Sequence, residues 1–239
     1  MKLALAFLAA AACASGTAQA DRAKAAGAPL VLELFTSQGC SSCPRAEALF
    51  SRLAKEGALA GRPIVPIQLH VDYWNDGGWQ DPFSSALWGG RQIAYSSVRG
   101  DHGDVYTPQA IVAGQTELNG ADQHGLERAV ADAPVQLALD AKATRDEKGL
   151  HVTATAPADA AVWVVVWEDG LETDVQRGEN AGKHMTENHV VRALDGVVKP
   201  GKKGTIDIAL DPSWKKIGAA AFAQNKDTFA IVGSTVLPL

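Results

Sequence analysis

Cys40 and Cys43, separated by two serines, are the residues of this 239-residue chain best suited to chemistry. An apolar run from Leu30 to Phe35 leads towards them, and Pro44 follows directly. A C-x-x-C pair at the start of a helix, after a buried strand, is typical of thiol–disulfide chemistry, because the helix N-terminus favours a thiolate. A disulfide across two residues removes little unfolded-chain entropy, so the spacing indicates chemistry rather than stabilisation.

The two cysteines are predicted to have different roles. Cys40 lies at the start of the predicted helix, so we expect it to be the nucleophile that attacks a partner disulfide. Cys43, one turn further on, would then attack Cys40 and release the product. The hydroxyl groups of Ser41 and Ser42 lie close enough in sequence to donate to the Cys40 sulfur.

The first 20 residues have the pattern of an export signal. Lys2 is followed by an apolar run up to Ala12, and a small-x-small cleavage site ends at Ala20. We therefore expect residues 1–20 to be removed and the mature protein to be periplasmic or secreted, in an oxidising compartment. The apolar run is too short to span a bilayer, so no membrane span is expected. With 22 basic and 27 acidic residues and no basic cluster, the chain is not expected to bind nucleic acid.

Strand and helix signals alternate in the first half of the chain. Strands are predicted over 30–35, 64–71, 105–112 and 115–118, and helices over 40–55, 82–98 and 121–131. This β-α-β-α-β-β-α order predicts an α/β domain with a mixed sheet over residues 28–134. Short strands separated by turn residues follow, and they predict an all-β, sandwich-like domain over residues 135–239.

Pro108 is the second informative residue, because it interrupts the strand predicted over 105–112. A proline is tolerated there if its peptide bond is cis and the chain bends at that point. Thioredoxin-like proteins resemble this pattern, since in them a cis-proline faces the C-x-x-C pair and helps hold the partner peptide. By this resemblance Cys40 and Cys43 are the redox pair, Thr107 is the pre-proline residue and Pro108 is the cis-proline.

The resemblance extends to a narrower family. Five segments resemble a bacterial family of secreted proteins known only as a domain of unknown function, DUF1223: residues 32–44, 70–74, 81–84, 105–109 and 177–180. The resemblance spans nearly the whole mature chain and implies a thioredoxin-like first part with a β-rich appendage. It implies no activity, because the family has none firmly assigned.

Aromatic and polar residues near the predicted site complete the candidate groove. Tyr73 and Trp74 follow the second strand, which ends at the same sheet edge as the cysteines. Together with Thr107 and Pro108 they are predicted to line a groove for an extended peptide or a small ligand. The alternative for Trp74 is packing of its loop onto the second helix. The polar stretch that begins at Arg177 either docks on the first domain or binds a ligand.

Glu33 and His70 are candidates for proton transfer and metal binding. Glu33 lies in the first strand, where it is either a buried proton acceptor beneath the cysteines or a residue facing a polar edge. His70 together with Cys40 and Cys43 offers a soft site for copper or zinc. The alternative for His70 is a hydrogen-bonded structural histidine.

The leading hypothesis is an exported thiol–disulfide oxidoreductase. Its partners would be protein thiols and disulfides or small disulfides, with an unknown redox partner supplying oxidising or reducing equivalents and with no cofactor of its own. Two alternatives stay open. One is a non-catalytic binding module with a fixed disulfide, and the other is a Cys/His copper or zinc binding protein.

Overall fold

The computed structural model of the chain describes residues 27–101 and 103–239. The predicted export signal over residues 1–20 lies outside the described residues. Across the described ranges, no helix is both long enough and apolar enough to cross a membrane.

In the described part of the first half, from residue 27 onwards, strands alternate with three α-helices. In chain order these elements are β1 (Leu30–Thr36), α1 (Pro44–Glu56), β2 (Ala58–Leu59), β3 (Arg62–His70), a single turn of 3₁₀ helix (Asn75–Gly77), α2 (Ala86–Arg99), β4 (Gln109–Val112), β5 (Thr116–Asn119) and α3 (Gln123–Asp132). Pro44 begins α1, where its missing N–H leaves no helical hydrogen bond unmade. The Ser85 hydroxyl caps α2 by accepting a hydrogen bond from the backbone N–H of Leu87.

The described second half consists of strands. They are β6 (Leu137–Ala138), β7 (Ala141–Asp146), β8 (Gly149–Thr155), β9 (Ala160–Glu168), β10 (Leu171–Asp174), β11 (His184–Glu187), β12 (Val190–Val198), β13 (Lys203–Ile208), β14 (Ile217–Asn225) and β15 (Ile231–Leu237). β10 and β11 pair as a hairpin, and β7, β8 and β13 form a separate three-stranded sheet.

Strands from both halves form one mixed sheet of ten strands. Nine follow the order β5-β4-β1-β3-β12-β9-β14-β15-β6, and β2 pairs with β3. The halves meet where β12 runs parallel to β3, with Val190 opposite Gln68. At this junction the Gln68 backbone N–H donates to the carbonyl oxygen of His189 (2.9 Å), and the Gln68 side-chain amide donates to that of Asn188 (2.8 Å).

The predicted fold class, a thioredoxin-like α/β domain plus a β-sandwich-like domain, is therefore wrong. The chain is mostly β, and the strands expected to form a separate sandwich (β9, β12, β14 and β15) extend the same sheet as β1 and β3. The physical reason lies in β3, which is buried from Ile64 to His70 and has partners along both edges. Pairing with β12 satisfies backbone groups on the edge that β1 leaves open.

Three apolar clusters fix the layers around this sheet. α1 and α3 cover one face of β1, β3 and β4, with Leu32 and Phe50 among the buried residues. α2 covers the opposite face, and its cluster crosses the junction by joining Phe35 and Ile67 to Phe222. The three-stranded sheet packs against the strands that the second half contributes to the large sheet. The shared cluster under α2 makes the two halves one packed body.

Candidate disulfide site

Cys40 and Cys43 form a disulfide in which their Cα atoms are 5.4 Å apart. Cys43 is the N-cap residue of α1, and Cys40 lies in the turn that precedes the helix. The helix begins at Pro44 rather than at Cys40 because the Cys43 N–H donates to the Cys40 carbonyl oxygen (3.2 Å) and closes a tight turn. Both cysteines are buried.

The Cys40 sulfur lies among groups from two distant parts of the chain. The Ser42 hydroxyl oxygen is 3.3 Å away, and the Thr107 carbonyl oxygen is 3.9 Å away. The Thr107–Pro108 peptide bond is cis, and Pro108 is buried directly before β4. The structure therefore brings Thr107, one of the predicted groove residues, to the disulfide, with a hydroxyl donor beside the sulfur.

Trp74 packs beside the C-x-x-C turn and holds Thr107. Its indole N–H donates to the Thr107 hydroxyl oxygen (2.8 Å), and a Cβ placed on Gly39 would come within 3.1 Å of the Trp74 Cβ. The Tyr73 hydroxyl donates to the Gln92 side chain in α2 (3.1 Å) and also lies close to the Thr107 side chain. Burial raises the pKa of Tyr73 to about 12. Thr107 therefore lies at the disulfide with both aromatic residues beside it, and the Tyr73 hydroxyl also contacts α2.

Residues 177–183, a segment of the second half between β10 and β11 that we call the covering loop, pack against the C-x-x-C turn. Asn180 in this loop is buried, and its side-chain amide donates to the carbonyl oxygens of Gln38 (2.8 Å) and Cys40 (2.9 Å). The side chain of Asn180 thus binds the backbone of the C-x-x-C turn directly. The sequence allowed two roles for this stretch, docking on the first half of the chain or binding a ligand. The contacts of Asn180 correspond to docking.

The covering loop has two further contacts with the first half. The Glu179 carboxylate accepts a hydrogen bond from the Ser41 backbone N–H (3.0 Å). Gly178 has a φ of +80°, and a Cβ there would come within 3.1 Å of the Trp79 Cβ and 3.4 Å of the Gly77 carbonyl oxygen, so only glycine fits. These contacts hold the covering loop against the backbone of the turn that contains both buried cysteines, so we expect movement of the loop to change access to the disulfide.

Glu33 lies on the opposite face of the sheet from α1. Its carboxylate pairs with the Arg91 guanidinium at 2.6 Å and 3.1 Å, and it accepts a hydrogen bond from the Tyr95 hydroxyl. Burial raises the pKa of Tyr95 well above its usual value, which keeps this donor protonated. The structure therefore places Glu33 in a buried ion pair with α2 and not beneath the cysteines.

His70 lies in a buried polar cluster with three carboxyl groups that the sequence analysis did not single out. Its Nδ1 is 2.7 Å from Asp81 Oδ2, and its Nε2 is 3.5 Å from Glu187 Oε1. Glu47 completes the cluster from α1. One sequence signal could have found Glu47, since it lies three residues before Phe50 on the apolar side of the predicted helix. Asp81 and Glu187 carried no comparable local signal.

The cluster has strongly shifted proton affinities. Burial raises the pKa of Glu47 to about 8, and the charge of Glu187 adds to this effect. Burial also raises the pKa of Glu187. For His70, burial alone would lower the pKa, but Asp81 and Glu187 outweigh it and raise the pKa to about 10. The charge of His70 in turn holds the pKa of Asp81 below its usual value despite burial.

Comparison with known proteins gives the chain a family and a structural relative. No curated protein matches it. The crystal structure of protein AGR_C_4864 from Agrobacterium tumefaciens is similar, at 27% identity and a TM-score of 0.66, over 88% of this chain and 94% of that one. The family model described as a protein of unknown function, DUF1223, matches residues 31–224, a range that contains the disulfide and the covering loop. The chain belongs to the DUF1223 family.

Proposed function

We propose that the protein is an exported thiol–disulfide oxidoreductase that works through Cys40 and Cys43. The observation that carries this proposal is a disulfide at the N-cap of α1, with the Ser42 hydroxyl and the Thr107 carbonyl group beside the Cys40 sulfur. The likeness to thioredoxin-like proteins lies in this local arrangement and not in the overall fold. Export to the periplasm or the cell exterior belongs to the proposal and rests on the signal-like residues 1–20.

The reaction is a two-step exchange in which bonds and electrons balance. In the reduced protein, the Cys40 thiolate attacks one sulfur of a partner disulfide, forms a mixed disulfide and releases the other partner sulfur as a thiolate, which takes up a proton. Cys43 loses its proton and attacks the Cys40 sulfur, which restores the protein disulfide and releases the second partner thiol. The same steps in reverse oxidise a partner dithiol.

The surroundings of Cys40 fit the role of the attacking thiol. The hydroxyl of Ser42 lies within reach of both the Cys40 sulfur (3.3 Å) and the Thr107 carbonyl oxygen (3.4 Å). In the reduced protein this hydroxyl can donate to the thiolate, and a hydrogen bond to a charged group contributes about 1.5–3 kcal/mol. Cys43 lies at the N-cap of α1 and is as buried as Cys40, so the hydroxyl group beside the Cys40 sulfur, and not exposure, favours Cys40 as the attacking thiol.

Trapping of the mixed disulfide tests this proposal. In the variant Cys43→Ala the resolving thiol is absent, so the Cys40 adduct with a small disulfide is expected to accumulate. Oxidised glutathione serves as the probe, and intact-mass spectrometry measures the fraction of protein that carries one glutathione. The double variant Cys40→Ala/Cys43→Ala is the matched control. An adduct no more abundant in Cys43→Ala than in the double variant would exclude Cys40 as the attacking thiol.

A further inference from the structure

Three buried side chains from three elements converge one helical turn after Cys43. Glu47 comes from α1, His70 from the end of β3 and Glu187 from the end of β11. One possible ligand atom of each, two carboxylate oxygens and one imidazole nitrogen, lies within 4.8 Å of the others. None of these residues is more than 1% exposed. The cluster therefore lies inside the protein, where unbalanced polar atoms are costly.

The three side chains direct unpaired atoms towards one another. Glu47 Oε2, His70 Nε2 and Glu187 Oε1 are all buried and have no hydrogen-bond partner among the described residues. Buried polar atoms in folded proteins are nearly always paired, so three together require an explanation. A single species that accepts an electron pair from each of them would satisfy all three.

Asp81 orients the imidazole of His70 for such a role. Its carboxylate lies 2.7 Å from His70 Nδ1, so the imidazole presents Nε2 to the cluster, and an ion bound there would displace the proton that Nε2 carries in the metal-free protein. Asp81 is itself held by the backbone N–H groups of Gln38 (2.8 Å) and Phe83 (2.9 Å). A carboxylate behind a ligating histidine is the usual outer contact of a metal site.

The two glutamates are held from behind in the same way. The Thr36 hydroxyl donates to Glu47 Oε1 (2.7 Å), which leaves Oε2 free, and the Gln38 side-chain amide donates to Glu187 Oε2 (2.8 Å), which leaves Oε1 free. Each of the three groups therefore has one atom fixed by the protein and one atom directed into the cluster. Metal-binding side chains are usually oriented in this way, by hydrogen bonds to the atoms that do not bind the metal.

We infer that Glu47, His70 and Glu187 bind one divalent transition-metal ion of the zinc class. Zinc takes imidazole nitrogen and carboxylate oxygen at about 2.0–2.2 Å, so small side-chain rotations would bring all three atoms around one ion. The two carboxylates balance its charge. Calcium needs about 6–8 oxygen ligands, and copper(I) favours sulfur, which the cluster lacks.

A cavity next to the cluster provides an entry path for the ion. A cavity of about 370 Å³ is lined by both glutamates together with Pro44, Lys183 and Met185. The Lys183 ammonium group, which also lines this cavity, donates a hydrogen bond to the Asn180 side chain (2.8 Å). Three protein ligands leave a fourth position on the ion for water or an exogenous ligand.

Isothermal titration of the full, oxidised protein with Zn²⁺ tests this inference. Because the disulfide is intact, the cysteines cannot supply thiolates. We expect one ion per chain and a Zn²⁺-dependent rise in Tm. Asp81→Asn should weaken binding roughly 10- to 100-fold, and Glu187→Gln, which removes a direct ligand, by at least about 100-fold.

The control variant is His151→Ala, since His151 is a histidine on the surface that pairs with Asp207 (2.6 Å) and Asp146 (3.0 Å). It should leave Zn²⁺ binding unchanged. Absence of stoichiometric binding to the wild type, wild-type affinity in Glu187→Gln, loss of binding in His151→Ala, or binding that requires reduction of the disulfide would each overturn the inference. If Glu187→Gln does not fold, Asp81→Asn and the Tm shift of the wild type decide the question.

Discussion

Cys40→Ala is expected to lower the rate of thiol–disulfide exchange by roughly two orders of magnitude or more, because it removes the attacking thiolate. Cys43 remains in this variant, but in the proposed exchange it is the resolving thiol, and the Ser42 hydroxyl that would stabilise a thiolate lies beside the Cys40 sulfur (3.3 Å). The rate is measured in a single turnover, as the reduction of Ellman's reagent by reduced protein.

Ser41→Ala provides the matched control for this measurement. Ser41 lies in the same turn and is exposed, and Ser41→Ala keeps the backbone N–H that donates to Glu179 while removing only the hydroxyl group that also contacts Glu179. Its exchange rate should stay near that of the wild type. A Cys40→Ala variant that reacts at the wild-type rate would assign the attack to Cys43 and contradict the proposed order of steps.

Asn180→Ala is expected to speed reduction of the disulfide by dithiothreitol roughly tenfold to thirtyfold. The substitution removes two buried hydrogen bonds, to the carbonyl oxygens of Gln38 and Cys40, each contributing about 1 kcal/mol to the closed state. Since about 1.4 kcal/mol corresponds to a tenfold change in an equilibrium constant, the open form of the covering loop becomes correspondingly more populated. Alkylation of the released thiols at timed intervals measures the rate.

The control for the covering loop is Gln176→Ala. Gln176 is exposed, and its side-chain amide donates to the nearby Asp174 carbonyl oxygen (3.0 Å) and not to the C-x-x-C turn, so its loss should leave the reduction rate unchanged. Equal reduction rates for Asn180→Ala and the wild type would mean that the loop does not limit access to the disulfide.

Apolar runs in the sequence predicted several strands well. The strand expected over 30–35 is β1 (Leu30–Thr36), and the strand expected over 64–71 is β3 (Arg62–His70). Such runs reflect burial, which is a local property of the sequence. The helix predicted over 40–55 begins at Pro44 in the structure, because the turn closed by Cys40 and Cys43 resembles a first helical turn in its hydrogen bonding.

The pairing of strands could not be predicted in the same way. The contact that joins the halves, between Gln68 in β3 and Val190 in β12, links positions more than a hundred residues apart and leaves no periodic signal. The change of character near Pro134 therefore suggested two domains, although the sheet continues across it. Backbone pairing between distant segments decides the fold here, and composition does not report it.

The site residues show the same difference between local and long-range signals in the sequence. Cys40, Cys43, Thr107 and Pro108 lie in short motifs, and the sequence located them. The cluster around His70 draws its carboxylates from positions 47, 81 and 187, which only the folded chain brings together. The sequence therefore suggests the cysteines as metal-binding partners of His70, whereas in the structure the imidazole of His70 lies beside Asp81 and Glu187.

The reduction potential of the Cys40–Cys43 pair tests the central claim most directly. The purified protein is equilibrated in dithiothreitol and glutathione buffers of graded potential, and the reduced fraction is counted after alkylation. A working exchange site is expected to have a potential above about −300 mV, in the range of proteins that trade disulfides. A value well below about −300 mV would identify a fixed structural disulfide and contradict the proposed oxidoreductase.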